Sequence, residues 1–570
     1  MDTQNSSTID HLPTEVLDKI FSYLTFYDVK AVKGVCRRWL DITLHSSYTR
    51  HNKINIRNFK FLPREMGESP NESITGLSFI YQTVKLNYKE YAHSEYDEFE
   101  RSVKLFMKFN GENVKNLTLI DFHATKEPRL YKLCSEIVDA TPNLESLCLN
   151  NTQFDRRLFL NESNETNRGA RNLKHLSLVP WSLRLVEYDQ LDDLKNNCPK
   201  LLGLTWLNAH TYLDDNALAF FKSISRRLKT LKIHNVIAED LMLEKHFSIL
   251  SEFQLVSLDM KFDTSVVPAF MFAKFVEFLN NQRDTLTELT LYCSDVMMQY
   301  LNRVYSALTK LERLKIVYDG VDVVDLASVL SQPRQLKVLE IYVKMTSDFT
   351  NVVQPTQNNL KFLNCNVCAS AQFLTVINNF TNLVALRVTL FKLPTLNLLA
   401  TFYSSLSRLK YIYLEIAQKS TEDQNETDTP LQNNISNMKR LEYLGIVTKE
   451  KTYVPGCEFE QIAKLKCLQK LICKVRVKPS DALFNEFFEN AKSMNYLDVR
   501  QSDGIDDDAV ERIYQNLNHL TYIGLSNCSN IRDRDAALDK MRIINNRVKY
   551  NNDFPSENFD EVFIGKYTSI

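Results

Sequence analysis

Glycine is scarce in this chain, with 12 residues among 570. None falls in a G-x-G-x-x-G or Walker loop, and neither a G-x-S-x-G elbow nor an H-E-x-x-H pair occurs, so ordinary nucleotide and hydrolase sites are disfavoured. Long hydrophobic runs are missing too: a membrane span needs roughly 18 uninterrupted apolar residues. The nearest stretch, around Val266 to Leu279, is broken by Pro268, Lys274 and Glu277. Charge of one sign is also lacking, since 69 basic against 70 acidic side chains leave a formal net charge of -1. Without a global field to draw a polyanion, neither nucleic acid nor membrane is expected as a partner. The opening MDTQNSSTID lacks the basic flank and apolar core of a secretory leader. The expected location is therefore the cytoplasm, the nucleus or both. The 11 cysteines are odd in number and follow no framework spacing, as where thiols stay reduced.

What is present is apolar material for a core, 44% of the residues, against 24% charged, which rules out overall disorder. From Val114 onward one pattern recurs, L-x-x-L-x-L: Val114, Leu117, Leu119; Leu144, Leu147, Leu149; Leu173, Leu176, Leu178. Further copies begin at Leu201, Leu228, Leu255, Leu286, Leu311, Leu336, Leu360, Leu383, Leu409, Leu441, Leu468, Met494 and Leu520. An earlier copy is expected at Ile74, Leu77 and Phe79, and a helix over Tyr96 to Phe109. The spacing, averaging about 27 residues, resembles that of leucine-rich repeats. Between the copies, Tyr131, Cys134 and Val138, or Val510, Ile513 and Leu517, recur at helical spacing. One repeat buries four or five large side chains at about 1.5 to 3 kcal/mol each, while ordering its backbone costs about 1 to 2 kcal/mol per residue. A lone repeat loses that contest, so the copies must stack. The expected fold is an α/β leucine-rich-repeat solenoid of about 16 to 17 repeats, with a parallel sheet on the concave face and helices on the convex one.

Ahead of the repeats, residues 12–39 read LPTEVLDKIFSYLTFYDVKAVKGVCRRW. Pro13 suits the first turn of a helix, and Val16, Leu17, Ile20, Phe21 and Leu24 then share one broad apolar side. Asp28 can cap a second short helix holding Val29 and Val32, and a third should run from about Val35 through Trp39 toward Leu44. The order L-P-x-E, I-F-x-Y-L, D-V and V-C-R-x-W resembles the F-box, and its position before the repeats resembles the F-box/leucine-rich-repeat family over essentially the whole chain. That resemblance implies a substrate-recruiting subunit of a Skp-cullin-F-box ubiquitin ligase, not itself an enzyme and without cofactor or metal. Its partners would be a Skp-type adaptor, through it cullin and RING subunits, and an unknown protein substrate marked for proteasomal degradation. The implied adaptor face comprises Leu12, Pro13, Val16, Leu17, Ile20, Phe21, Leu24, Val29, Val35 and Trp39. The alternative is that these residues form the core of an N-terminal cap for the solenoid. A second functional reading keeps adaptor binding but has the chain sequester its partner without degradation.

The resulting organisation is a disordered N-terminus at 1–9, an F-box at 10–50, a linker with an irregular first repeat at 51–113, the solenoid at 114–545 and a cap or tail at 546–570. For the substrate, the position before the second leucine is small or polar early on, as in Asn116, Ser146 and Gly203. Late in the chain it holds Phe362, Tyr411, Tyr443, Tyr496 and Tyr522, and the adjoining positions add Tyr342, Tyr413, Lys474 and Arg500. Aromatic anchors beside basic groups are the composition of binding hot spots, although strands favour tyrosine in any case. The polar runs Lys419 to Asn437 and Asn161 to Asn172 read as exposed loops. Cys365 and Cys368 form a C-x-x-C that the repeat itself accounts for: the first fills a strand leucine site, the second the turn position that Cys528 fills in the last repeat.

Overall fold

The computed structural model describes residues 12–21, 32, 35–43, 53–56, 81–88, 96–122, 129–152, 158, 168–179, 194–207, 215–236, 247–262, 269–293, 308–318, 335–343, 359–369, 373–390, 396–416, 435–448, 461–474, 487, 491–502, 505–517, 519–532 and 549–550. The chain divides into two compact units, Met1–Met271 and Phe272–Ile570.

In the first unit, helices α1 (Thr14–Phe21) and α2 (Arg37–Thr43) precede strands β1 (Lys53–Ile56), β2 (Thr83–Asn87), β3 (Asn116–Ile120), β4 (Ser146–Asn150), β5 (His175–Val179), β6 (Gly203–Trp206), β7 (Thr230–Val236) and β8 (Ser257–Phe262). Each strand pairs in parallel with the next. Helices α3 (Tyr96–Asn110), α4 (Leu130–Asp139), α5 (Arg168–Asn172) and α6 (Asp215–Ile224) lie between them. The second unit holds most of α7 (Ala269–Asn281), then β9 (Glu288–Cys293), β10 (Arg313–Tyr318), β11 (Val338–Val343), β12 (Phe362–Ala369), β13 (Ala385–Leu390), β14 (Tyr411–Ile416), β15 (Tyr443–Thr448), β16 (Lys470–Lys474), β17 (Tyr496–Asp498), β18 (Tyr522–Gly524) and β19 (Lys549–Tyr550). These again form a parallel ladder in chain order. Helices α8 (Phe373–Ile377), α9 (Leu396–Ser405) and α10 (Asp507–Asn516) fall between its strands. Strand alternating with helix over parallel ladders is the leucine-rich-repeat arrangement that the sequence predicts.

The sixteen first positions of the pattern, from Val114 to Leu520, are all buried, none more than 3% exposed. At most of them the backbone N–H closes a tight turn, as Leu144 to the Thr141 carbonyl (3.1 Å) and Leu383 to the Phe380 carbonyl (2.9 Å). The next carbonyl then accepts two N–H groups from the following repeat: Lys115 O takes Glu145 N at 2.8 Å and Ser146 N at 2.9 Å. Beyond the strands, Asp121, Asn151, Gln501 and Asn527 adopt positive φ, a conformation that Asn and Asp tolerate better than other side chains. After two of these kinks the next residue turns back on the preceding repeat, Thr152 Oγ1 donating to Leu119 O (3.1 Å) and Cys528 Sγ to Val499 O (3.3 Å). That bond gives a reason for a small polar side chain at this turn. Cys365 points inward and is fully buried, and burial pushes its thiol well above the usual range. Cys368 pairs with Thr389 across a register shift in β12.

The helix expected over Tyr96 to Phe109 is α3. Its last residue, Asn110, is buried and clasps the Tyr81 backbone twice, accepting from its N–H and donating to its carbonyl, each at 2.9 Å. The strand that this clasp introduces is β2, whose Val84 and Leu86 sit inward beside Leu117 and Leu119. Tyr81, Val84 and Leu86 therefore make the repeat before Val114, disguised because two of its three inward residues are not leucine. The copy expected at Ile74, Leu77 and Phe79 lies outside the described residues, as do the N-terminal 1–9, 419–434 of one predicted loop, 161–167 of the other, and the tail from 551.

Candidate docking segment and recognition face

The N-terminal segment is held by α1 and α2. Pro13 precedes α1, and its carbonyl accepts from Val16 N and Leu17 N, each at 3.1 Å. Arg38 ties the second helix to this start, Nη2 donating to Leu12 O (2.6 Å) and to Thr14 Oγ1 (3.3 Å). Leu17, Phe21, Trp39 and Ile42 form a buried cluster, with Leu12 and Val32 packed against it. Phe21 and Trp39 meet edge to face with ring centroids 5.1 Å apart, a favoured aromatic geometry. The buried indole Nε1 of Trp39 finds no acceptor among the described residues.

This packing divides the residues expected to form one adaptor face. Leu17, Phe21 and Trp39 are pins of the segment's own core, because α2 lies across that half of the apolar stripe. Val16, Ile20 and Val35 remain outside, 41%, 38% and 58% exposed. Pro13 is exposed and Leu12 half-buried beside the core. Leu24 and Val29, with most of the segment expected to form a second helix, lie outside the described residues.

The second candidate surface is the outward face of the ladder in the second unit. Register places Val338, Phe362, Ala385, Tyr411, Tyr443, Lys470, Tyr496 and Tyr522 in one column on successive strands. Neighbouring strands lie about 4.8 Å apart, close to the stacking distance of aromatic rings, so in-register tyrosines must stack. Tyr411 lies on Tyr443 with centroids 5.5 Å apart, and Tyr496 on Tyr522 at 4.2 Å. Of the candidate substrate residues, Phe362, Tyr411, Tyr443 and Tyr522 are buried, while Tyr413, Lys474 and Tyr496 stay half-buried. Tyr342 sits apart from this group, donating to Glu340 Oε2 (3.1 Å) and accepting from Asn364 Nδ2 (2.8 Å).

The next column brings in residues that motif reading passed over. Tyr413 lies flat against Gly445, where a Cβ would come within 2.3 Å of its ring, and Arg387 stands 5.1 Å from the ring centroid. Burial, with Glu415 beside it, pushes the Tyr413 hydroxyl up to about 12. Asp498, 1% exposed, takes Arg500 through two bonds, Nε to Oδ1 at 2.8 Å and Nη2 to Oδ2 at 2.6 Å, with Lys474 Nζ 3.5 Å from Oδ2. Asp498 thereby holds the guanidinium more firmly charged, while burial pulls the Lys474 ammonium below its usual range despite Asp498 nearby. Gly524 leaves room for this carboxylate, which a Cβ would meet at 2.7 Å. The sequence signal for Asp498 was its place two residues beyond Tyr496 in a strand. Among the described residues no group of three or more His, Cys, Asp or Glu could hold a metal ion, and no helix is long and apolar enough to cross a membrane.

Comparison with known proteins adds the decisive observation: residues 9–53 match the F-box-like family model. They form an F-box-like domain. The F-box-like domain is thus followed by a leucine-rich-repeat ladder, the combination that the motifs indicate. No curated protein matches the chain. Among solved structures it is similar to an internalin from Listeria monocytogenes, at 14% identity over 60% of this chain and 89% of that one, TM-score 0.37. It is similar also to the TLR13–ssRNA13 complex, at 15% over 79% and 66%, TM-score 0.38, and to the Rad7 and Elc1 complex in yeast, at 13% over 77% and 91%, TM-score 0.32. None superposes closely enough to carry an argument about function.

Proposed function

We propose that this protein recruits substrates to a Skp-cullin-F-box ubiquitin ligase. The observation that carries the reading is the F-box-like domain at residues 9–53, in which Val16, Ile20 and Val35 stay exposed although Leu17, Phe21 and Trp39 provide a core. Three large apolar groups left outside a formed core suit a partner surface, here that of a Skp-type adaptor. Through the adaptor the chain would reach cullin and RING subunits, and its ladder would hold a protein substrate whose lysines then meet ubiquitin at high effective concentration. In this role the chain positions reactants and makes no bond itself, working in the cytoplasm or nucleus on substrates bound for the proteasome.

The test is capture of a Skp-type adaptor and a cullin by the full chain and by a Val16→Asp, Ile20→Asp, Val35→Asp variant. Trp39→Ala is a poor probe, because it removes a core ring and its effect on capture would follow from unfolding. Capture by the intact chain and its loss in the folded triple variant is the expected result. If the intact chain captures neither protein, the ligase reading fails. If it captures both but its substrate is equally stable with and without proteasome inhibition, the chain is a sequestering scaffold.

A further inference from the structure

The outward positions of β13–β17 form three columns: Ala385, Tyr411, Tyr443, Lys470 and Tyr496; Arg387, Tyr413, Gly445, Ile472 and Asp498; and Thr389, Glu415, Val447 and Lys474, with Arg500 just beyond the last strand. Four cations, Arg387, Lys470, Lys474 and Arg500, share this face with two carboxylates, Glu415 and Asp498. The outward residues of β9–β11 show no such excess: Arg313 and Lys315 are matched by Glu288 and Glu340.

The cations are also placed against aromatic surface. Lys470 Nζ stands 5.4 Å from the Tyr496 ring centroid and Arg387 5.1 Å from that of Tyr413. Such packing holds the charge at the face instead of letting it extend into solvent. Tyr411, Tyr443 and Tyr522 are buried, so the side chains that reach solvent on this face are the half-buried ones, among them Arg387, Tyr413, Lys470, Ile472, Lys474 and Tyr496. Apolar surface from Tyr413 and Ile472 beside the cations Arg387 and Lys470 fits a chain that alternates acidic and apolar groups. A neutral apolar segment would have to strip water from the ammonium groups without replacing its hydrogen bonds.

We infer that this face binds an acidic segment of a partner protein, its carboxylates lying against Lys470 and Arg387 and its apolar side chains on Tyr413 and Ile472. The inference rests on the reading that the ladder recruits a protein, and it specifies the chemistry of what is recruited.

The probe is a fluorescein-labelled peptide alternating glutamate and phenylalanine, compared with its glutamine counterpart, added to the full chain and followed by anisotropy at low and physiological salt. The glutamate peptide should bind, weaken as salt rises, and exceed the glutamine peptide by about tenfold in affinity. Lys470→Glu should lower its affinity about tenfold, Lys470→Gln less, and Lys85→Glu on β2 should leave it unchanged. The inference is overturned if neither peptide binds, if both bind alike, or if Lys85→Glu weakens binding as much as Lys470→Glu. Stabilisation of the chain by inorganic phosphate in thermal unfolding, without binding of the glutamate peptide, also overturns it, in favour of a phosphate site. Thermal unfolding of each variant separates lost binding from lost fold, and Lys470→Gln serves if Lys470→Glu unfolds. Adaptor capture is measured on the same preparations: peptide binding without capture removes the ligase reading alone, and capture without peptide binding removes this inference alone.

Discussion

The ladders of the two units share an inward face and differ on the outward one. In both, leucine-like side chains repeat from strand to strand in register, as Leu117, Leu147 and Leu176 do in the first and Leu339, Leu363 and Leu386 in the second. Outward, β3–β8 carry Asn116, Thr118, Ser146, Cys148, His175, Ser177, Gly203, Thr205, Thr230, Lys232, Ser257 and Asp259. The equivalent positions in β14–β18 are filled by stacked tyrosines and a buried ion cluster. An inward side chain answers to a core common to every repeat. An outward one answers only to its neighbours and to whatever binds, so the two faces diverge without disturbing the fold.

The sharpest way to probe this contrast is to remove one carboxylate from each outward face. Asp498→Ala leaves Arg500 and Lys474 without their shared buried counterion and should cost on the order of 3 to 5 kcal/mol in denaturant unfolding. Asp259 also holds two groups, His234 Nε2 and Lys232 Nζ each at 2.7 Å, but it is less buried, its side chain 18% exposed and that of Lys232 38%, and Asp259→Ala should cost less, about 1 to 2 kcal/mol. Equal losses would mean that the two clusters are buried alike. Asp259 adds a pH signature. Burial raises its pKa, yet the hydrogen bonds from His234 and Lys232 outweigh that and leave it below the usual carboxylate value. A depressed folded pKa adds stability above the unfolded value of about 3.9. The advantage of wild type over Asp259→Asn should therefore vanish as the pH falls through the folded pKa.

The inward faces should respond alike. Leu147→Ala and Leu386→Ala, both fully buried, should each cost about 2 to 5 kcal/mol. A consistent gap between them in urea unfolding would break the claim of one shared core design. Glycines separate the outward faces again on a smaller scale. Gly445→Ala drives a Cβ into the Tyr413 ring within an aromatic cluster and should cost about 1 to 3 kcal/mol. Gly203→Ala meets His175 Nδ1 and Thr230 Oγ1, at 2.3 and 2.4 Å, contacts that a χ1 rotation of either side chain relieves, and should cost less, about 1 kcal/mol. The smallest effect belongs to the ion pairs on the residues just before the strands, Lys174 with Glu145 at 3.0 Å and Lys337 with Glu312 at 2.8 Å, all four side chains being substantially exposed. Lys174→Ala and Lys337→Ala should each change thermal stability by less than about 0.5 kcal/mol, and less still in high salt.

The repeat positions were legible because burial in a stacked array imposes a strict alternation, and a position that must be apolar in every copy announces itself by recurrence. Where the inward set drifts from leucine, as at Tyr81 and Val84, recurrence weakens and the strand is missed. The tyrosine column was legible in register for the same reason. That its rings would cover one another was not, since exposure depends on the distance between strands far apart in sequence. Asp498 was overlooked because its partner Lys474 lies on another strand, and only the ladder brings the two carboxylate oxygens under both cations.

By itself the sequence determined the repeat, its inward residues and the F-box-like pattern, because these follow from local spacing and from the need to bury apolar groups. Only the tertiary structure decided which half of the α1 stripe is core and which is surface. Helical spacing places Val16, Leu17, Ile20 and Phe21 on one broad side alike, and it is the packing of α2, with Trp39 against Phe21, that covers two of them and leaves the other two exposed.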